Sequence, residues 1–486
     1  MERVVTNELS RAIDRYMIDE LKIPGVVLME RAASCVADVI LEDMPHGLCV
    51  IMIGSGNNGG DGLALQRILA MHGIDSVSLV LCDVEKFKGD ALINYNIARN
   101  LGLKFTRDAS ILDNAEVIVD AVFGTGLSRP VSGEAYDAIE HANSMPARKI
   151  AVDIPSGMNG DTGEILGTCF DADVTVTFEC IKQGILLTKE REKVGRLVVA
   201  KIGIQRRDFE PNVYCDRLID AEFVKNLLPQ RKIVSNKGSY GRVLMLVGSA
   251  GMTGAAVMSS AAALRAGAGI VKACVPKEVV GAFAVVPEVM CVSDDSADID
   301  DLIAWADVIA IGCGMGNDGK CALKLQRALL SRKPIVVDAD ALNVMDKSLV
   351  SLLHEKCIVT PHPGEMARLT GGKIEDVLSA FPLTAKEFAR KHNCITLLKS
   401  AVSVIASPTG KLRYNIAGNA GLAKGGSGDV LAGVTAAQLA QGLDPFDSAS
   451  VGAFLLGIAA EKALKLLGTR AVLARDVIGA IDKINL

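Results

Sequence analysis

Four glycine-rich stretches, each following an apolar run, hold the residue types that could do chemistry. They are "GSGNNGGDG" (Gly54–Gly62), "DAVFGTGLSRP" (Asp120–Pro130), "DIPSG" (Asp153–Gly157) and "GGSGDVLAG" (Gly425–Gly433). A glycine loop between a strand and a helix leaves backbone N–H groups free to meet phosphate. Gly54, Gly56 and Gly59 also spell G-x-G-x-x-G, and Asp83 lies 24 positions after Gly59, so the formal dinucleotide pattern of a dehydrogenase is present. The objection is electrostatic: Asp61 at the same helix start would repel a pyrophosphate, unless it serves only as a helix cap. Asn57, Asn58 and Asp61 instead offer side-chain oxygens suited to a hydroxyl or a weakly held cation.

Asp120 precedes the Gly124–Thr125–Gly126 loop, and Asp153 precedes Pro155, Ser156 and Gly157. A lone acid at a strand end is usually a turn residue. In an open parallel sheet, however, ligands collect at the carboxyl ends of the strands. There Asn58, Asp120, Asp153 and Ser156 would converge on one pocket. In the second half, Gly425, Gly426 and Gly428 open a helix whose first turn holds Asp429, placed either as a helix charge or as a general base beside a phosphoryl group. The chain has no G-x-x-x-x-G-K-[ST] phosphate loop. His362, in "PHPGE", reads equally as a turn residue or as a substrate contact.

Strand-like and helical runs alternate around these motifs. Two helices in residues 8–44 break at Pro24–Gly25. "LCVIMI", "VSLVLCD", "AEVIVDAVFG", "KIAVDIPSG", "DVTVTFEC" and "GRLVVAKIGI" follow as strands, and continuous Val/Ile runs of this kind imply a parallel sheet buried on both faces. The text turns irregular at residues 205–230, where a domain boundary is expected. A second alternation then begins with "GRVLMLVGS". The 486 residues exceed the ~100–200 of an average domain, so two α/β domains are expected. Half the residues are hydrophobic, 22% are charged and the net charge is −5, which gives no basic surface for nucleic acid. The twelve scattered cysteines form no C-x-x-C pair, the start is charged, and no apolar run reaches the ~18 residues of a membrane span. A cytoplasmic location, no membrane partner and a homo-oligomeric state are the expectations.

The first three motifs together resemble the amino-terminal domain of the NAD(P)H-hydrate epimerases, over most of residues 1–215. The resemblance implies a Rossmann-like three-layer domain. It further implies that Asn57, Asn58, Gly59, Gly60 and Asp61, with Gly124, Thr125, Gly126, Leu127, Ser128, Arg129 and Pro130, bind the hydrated nicotinamide nucleotide. Asn58, Asp120 and Ser156 would surround a potassium ion, and Asp153 would touch the substrate as the acid/base group.

From about residue 232 onward, "KGSYGRVLMLVGS", "GMTGAAVMS", "IGCGMG", "DADALN", "TPHPGEMARL", "LKSAVSVI" and "GGSGDVLAG" resemble the ADP/ATP-dependent NAD(P)H-hydrate dehydratases, of ribokinase-like α/β fold. That resemblance implies a second domain over 226–486, with Ala255, Gly316, His362 and Asp429 on the hydrated nucleotide. Lys399, Ser400, Ala401, Val402, Ser403 and Gly428 would hold the adenine nucleotide, and Asp429 would be the general base. ADP as co-substrate, Mg²⁺ and the NADH and NADPH hydrates follow from it. Lys424 stands where that family has a small residue or Thr, and a cation there is expected to face phosphate. A dehydrogenase, a ribokinase-like small-molecule kinase with a nucleotide-binding regulatory domain, and a non-catalytic nucleotide sensor remain the alternatives.

Overall fold

The computed structural model describes residues 1–43, 45–203, 215–481 and 483–484. Residues 205–214 of the expected boundary region lie outside the described residues. The chain divides into two compact units, Glu2–Cys215 and Asp216–Leu486 with Met1.

The strands of the first unit are β1 (Glu2–Val5), β2 (Leu48–Ile53), β3 (Ser76–Val80), β4 (Lys104–Thr106), β5 (Ala115–Ala121), β6 (Arg148–Val152), β7 (Val174–Phe178), β8 (Ile181–Lys182) and β9 (Arg196–Ala200). Seven of them form a sheet in the order β4-β3-β2-β5-β6-β7-β9, parallel at every pairing. Short β1 pairs in parallel with β8. The Val/Ile runs produce this sheet because both faces are covered: Ile51, Ile53 and Val119 pack into one buried cluster, Val50, Met52 and Ile118 into another. The strand order reverses between β2 and β5. Their following loops, 54–56 and 122–130, therefore part at a topological switch point, where a crevice opens in such sheets.

The second unit holds β10 (Asp216–Leu218), β11 (Arg242–Leu246), β12 (Ile270–Val275), β13 (Met290–Ser293), β14 (Val308–Ile311), β15 (Ile335–Val337), β16 (Cys357–Val359), β17 (Ile395–Leu398), β18 (Ser403–Ala406) and β19 (Leu412–Asn415). They run β13-β12-β11-β14-β15-β16-β17-β18-β19-β10. The pairings are parallel up to β17, whereas β17, β18 and β19 form antiparallel hairpins. The stretch "ITLLKSAVSVIASPTG" thus folds back on itself at Lys399–Val402. The switch point lies between β11 and β14. Helix Ser427–Ala440 packs on helix Thr253–Arg265 with backbones almost touching: a Cβ on Gly433 would lie 2.1 Å from the Ser259 carbonyl oxygen. Among the described residues no helix is long and apolar enough to cross a membrane.

Candidate active sites

In the first unit the β2–β5 switch point opens into a cavity of about 560 Å³. Its wall includes Asn57, Asn58, Asp61, Gly124 to Arg129 and Asp153, so the structure brings most of the expected residues together. Gly59 and Gly60 lie buried in helix Asn57–Met71, and Pro130 stands exposed. Gly59 has a packing reason to be glycine, since a Cβ there would lie 1.8 Å from the Gly54 carbonyl oxygen. The alternative reading of Asp61 as a cap falls away: the N-cap is Gly56, which offers no side chain, and Asp61 lies in the second turn.

Asp153 directly follows β6 with φ at +68°, a left-handed conformation that costs a non-glycine residue about 1–3 kcal/mol. Strain of this kind persists where surrounding contacts enforce it. Here the carboxylate is ion-paired with buried Lys182. The Lys182 ammonium also donates to Thr177 Oγ1 at 3.2 Å and to the Phe178 carbonyl at 3.3 Å. Burial pushes Asp61 well above the usual carboxylate range, the Asp153 and Asp14 charges add to this, and Lys182 opposes it. Packing around the Asp14 carboxyl raises it as well, with Lys182 working against that shift and Asp153 with it, although Asp14 is the most exposed of the three.

Asp120 is fully buried. It accepts from the Ser156 amide at 2.7 Å, the Ser156 hydroxyl at 2.6 Å and the Val122 amide at 3.2 Å. Burial still outweighs these bonds and pushes its pKa up to about 6. The Ser156 hydroxyl in turn accepts from the Phe123 amide at 2.8 Å. Asn58 lies buried against Gly124, and among the described residues its amide nitrogen has no hydrogen-bond partner. The oxygens of Asp120, Asn58, Ser156 and Phe123 bring one carboxyl and three neutral groups, with Asp120 and Ser156 fully buried. That donor set suits a hard monovalent cation.

In the second unit Asp429 occupies the first turn of helix Ser427–Ala440, as expected, behind Gly426 in the left-handed region. Burial raises it to about 6; the Asp338 carboxylate adds to the shift, and a hydrogen bond from the Cys313 thiol and the Lys399 charge oppose it. Lys399 Nζ lies 2.6 Å from Asp338 Oδ1, and a Cβ on Gly428 would sit 3.5 Å from Asp338 Oδ2 and 3.6 Å from that Nζ. The glycine loop, the base and the lysine therefore share one small volume. Burial disfavours the Lys399 cation, but the Asp338 and Glu365 carboxylates outweigh it and raise the pKa. Of its ammonium hydrogens only one is engaged among the described residues, by Asp338.

Ala255 lies in the first turn of helix Thr253–Arg265, where a Cβ on Gly314 would approach its own Cβ to 2.8 Å. The Gly316 amide donates to Asp340 at 2.8 Å, tying that loop to the "DADALN" stretch. Ser400 and Ala401 are exposed at the β17–β18 turn, Val402 is buried, and Ser403 opens β18. His362 is the N-cap of helix Pro363–Thr370: its Nδ1 accepts from the Gly364 amide at 3.0 Å and its own amide donates to Glu365 at 2.8 Å. The ring is 58% exposed, with its other nitrogen, Nε2, 3.6 Å from Glu365 Oε1. Lys424 does not face phosphate. Its ammonium donates to the Arg470 and Val472 carbonyls at 2.6 and 2.7 Å, which explains why a long cation is accommodated there.

Sequence reasoning missed Lys182, Asp14, Asp338 and Cys313. Lys182 carries a signal in hindsight, a lysine amid the apolar "VTVTFECIKQGILL", where burial demands a partner. Asp14 sits on a helix whose charged face looks solvated, and gives none.

Residues 25–184 match the family described as YjeF-related protein N-terminus, and residues 243–483 match the NAD(P)H-hydrate dehydratase family. A bifunctional NAD(P)H-hydrate repair enzyme of Moorella thermoacetica is 38% identical over 96% of this chain and 93% of its own length. Its counterpart in Escherichia coli is 34% identical over 97% and 92%. The second unit is similar to an ADP/ATP-dependent NAD(P)H-hydrate dehydratase from Bacillus subtilis, co-crystallised with ATP/Mg²⁺. The TM-score is 0.50 at 28% identity, covering 55% of this chain and 97% of that one. A ribokinase-like superfamily protein of Enterococcus faecalis aligns with a TM-score of 0.50 at 27% identity, over 56% and 96%.

Proposed function

The chain belongs to the family of bifunctional NAD(P)H-hydrate repair enzymes, and from that premise we propose that it returns hydrated NADH and NADPH to their active forms at two separate sites. Residues 1–215 would interconvert the R and S hydrates, and residues 226–486 would dehydrate the S form at the expense of ADP, releasing AMP and phosphate. The observation that carries this reading is Asp429. A carboxyl pushed up to about 6, beside a glycine loop and a lysine with hydrogens to spare, is a general base placed at a phosphoryl-transfer site.

Asp429 takes the proton of the ring hydroxyl as its oxygen attacks the terminal phosphoryl group, and the scissile oxygen leaves with AMP. Phosphate is then expelled from the ring by the nitrogen lone pair, giving C=N⁺, and loss of a proton from the adjacent ring carbon restores the dihydropyridine. Gly428 and Lys399 steady the phosphates, with Ser400 to Ser403 on the nucleotide and Ala255, Gly316 and His362 on the hydrate. An Mg²⁺ ion fits a site where phosphates supply most of the oxygens and Asp338 or Asp340 stands near, and would spread the charge of the transferring group.

In the first unit, Asn57 to Asp61 and Gly124 to Pro130 hold the hydrate, and Asp153 acts on it as acid or base. Asn58, Asp120 and Ser156 would hold K⁺, which fixes the loop around the nucleotide. ADP in place of ATP rests on the fusion of both units in one chain. Comparison of initial rates with ADP and ATP on the same hydrate tests it, and faster turnover with ATP would overturn it. A cytoplasmic homo-oligomer is the assembly this reading carries, and light scattering of the purified chain checks its state.

A further inference from the structure

We propose that Asp61 is the general acid of the epimerisation, working opposite Asp153 as general base, and that each inversion replaces the ring hydroxyl with one from solvent. The proposal rests on reading the N-terminal cavity as the epimerase site.

The two carboxyls line the same cavity but differ in what holds them. Asp153 is committed to Lys182. An ammonium has three hydrogens, and those of Lys182 meet Asp153, Thr177 Oγ1 and the Phe178 carbonyl. Lys182 therefore has no proton to offer a substrate; it pairs with Asp153 and positions it. The Asp61 carboxyl makes no hydrogen bond among the described residues and stands on the cavity wall, on a helix held close to the Gly54 carbonyl through Gly59. Arg11, Asp14, Asp90, Arg129 and Glu179 are the other charged residues on that wall. Burial and the neighbouring Asp153 and Asp14 charges favour the neutral form of Asp61 against the pull of Lys182. One acid whose neutral form is favoured, beside one paired with an ammonium, is the arrangement that divides donor from acceptor.

The chemistry balances. Asp61 gives its proton to the ring hydroxyl, the C–O bond breaks with both electrons to oxygen, and water leaves. The ring nitrogen lone pair forms C=N⁺, which makes the carbon planar. A second water adds from the opposite face and loses a proton to Asp153. A proton then passes from Asp153 through cavity water to Asp61, so nothing is consumed.

The test follows the approach of a single hydrate epimer to equilibrium, without ADP, in ¹⁸O-labelled water, with the no-enzyme rate subtracted. Wild type is expected to incorporate one ¹⁸O per inversion. Asp61→Asn should slow inversion by ~10²–10⁴-fold, while dehydration of the S hydrate at the wild-type rate checks the second unit and a wild-type denaturant unfolding of the first unit checks the fold around the substitution. Inversion by Asp61→Asn within tenfold of wild type would overturn the proposal, and so would inversion by wild type without label uptake, a result that needs no variant. A wild type no faster than buffer would instead remove the epimerase reading itself.

Discussion

Each half of the molecule pairs one carboxylate with its own lysine and leaves a second without one: Asp153 with Lys182 beside Asp61 in the first unit, and Asp338 with Lys399 beside Asp429 in the second. The lysines differ. Lys182 gives all three hydrogens to the protein and is closed to any ligand, whereas Lys399 gives one and keeps the rest. The unpaired acids differ too, Asp429 standing in the first turn of its helix beside a glycine loop and Asp61 a turn deeper on a cavity wall. A free cation next to helix amides selects phosphate. A saturated cation sets only the charge of its partner and leaves the cavity to a substrate that reacts by proton transfer.

The largest effect expected from this contrast is on Asp429. Asp429→Asn should lower dehydration by ~10²–10⁴-fold and leave epimerisation untouched. Retention of more than a tenth of the wild-type rate would reduce Asp429 to a helix charge.

Next comes Lys182→Met. Removing the buried cation strands half-buried Asp153, which should destabilise the first unit by up to about 3 kcal/mol in denaturant unfolding, and adding Asp153→Asn should recover most of it. The equivalent Lys399→Met should instead raise the KM for the nucleotide. An effect of Lys182→Met on the nucleotide KM alone would erase the distinction between the two lysines.

A smaller effect carries a pH signature. The fold raises Asp429 from an ordinary 3.8 to about 6, so the charged form is disfavoured in the folded state and wild-type stability falls as pH climbs through that window. Asp429→Asn escapes this and should gain about 1–3 kcal/mol above pH ~6, with the gain gone below pH ~4. A gain independent of pH would point to packing.

How much of this was legible beforehand depends on the kind of signal. The long strands were readable because a sheet covered on both faces forces unbroken apolar runs such as "LCVIMI". Three-residue strands such as Lys104–Thr106 and Asp216–Leu218 are too short to show that pattern. Asn58, Asp120, Asp153 and Asp429 were readable because glycine and strand ends mark them. Asp61 is legible as a site residue, but its depth in the helix is not, since nothing in "NNGGDG" fixes where the helix begins. Lys424 was misjudged because its partners, the Arg470 and Val472 carbonyls, lie 46 and 48 residues away, and backbone acceptors leave no trace in sequence.

The smallest effect concerns the cation. Asp120→Ala should lower epimerisation by about tenfold, or ~1.4 kcal/mol, and make it more dependent on added potassium, with dehydration of the pure S hydrate unchanged. Full epimerase rate in potassium-free buffer would remove the ion from the account.

The central claim, that one chain repairs both hydrate epimers at two sites, is met most directly by following a racemic hydrate mixture with ADP and Mg²⁺ by epimer-resolved chromatography. Wild type should convert the whole mixture to NADH with AMP and phosphate released one for one, and Asp429→Asn should leave all of it hydrated while still equilibrating the epimers. A wild type that stops with the R epimer left over at its uncatalysed rate, or that forms NADH without consuming a nucleotide, would contradict it.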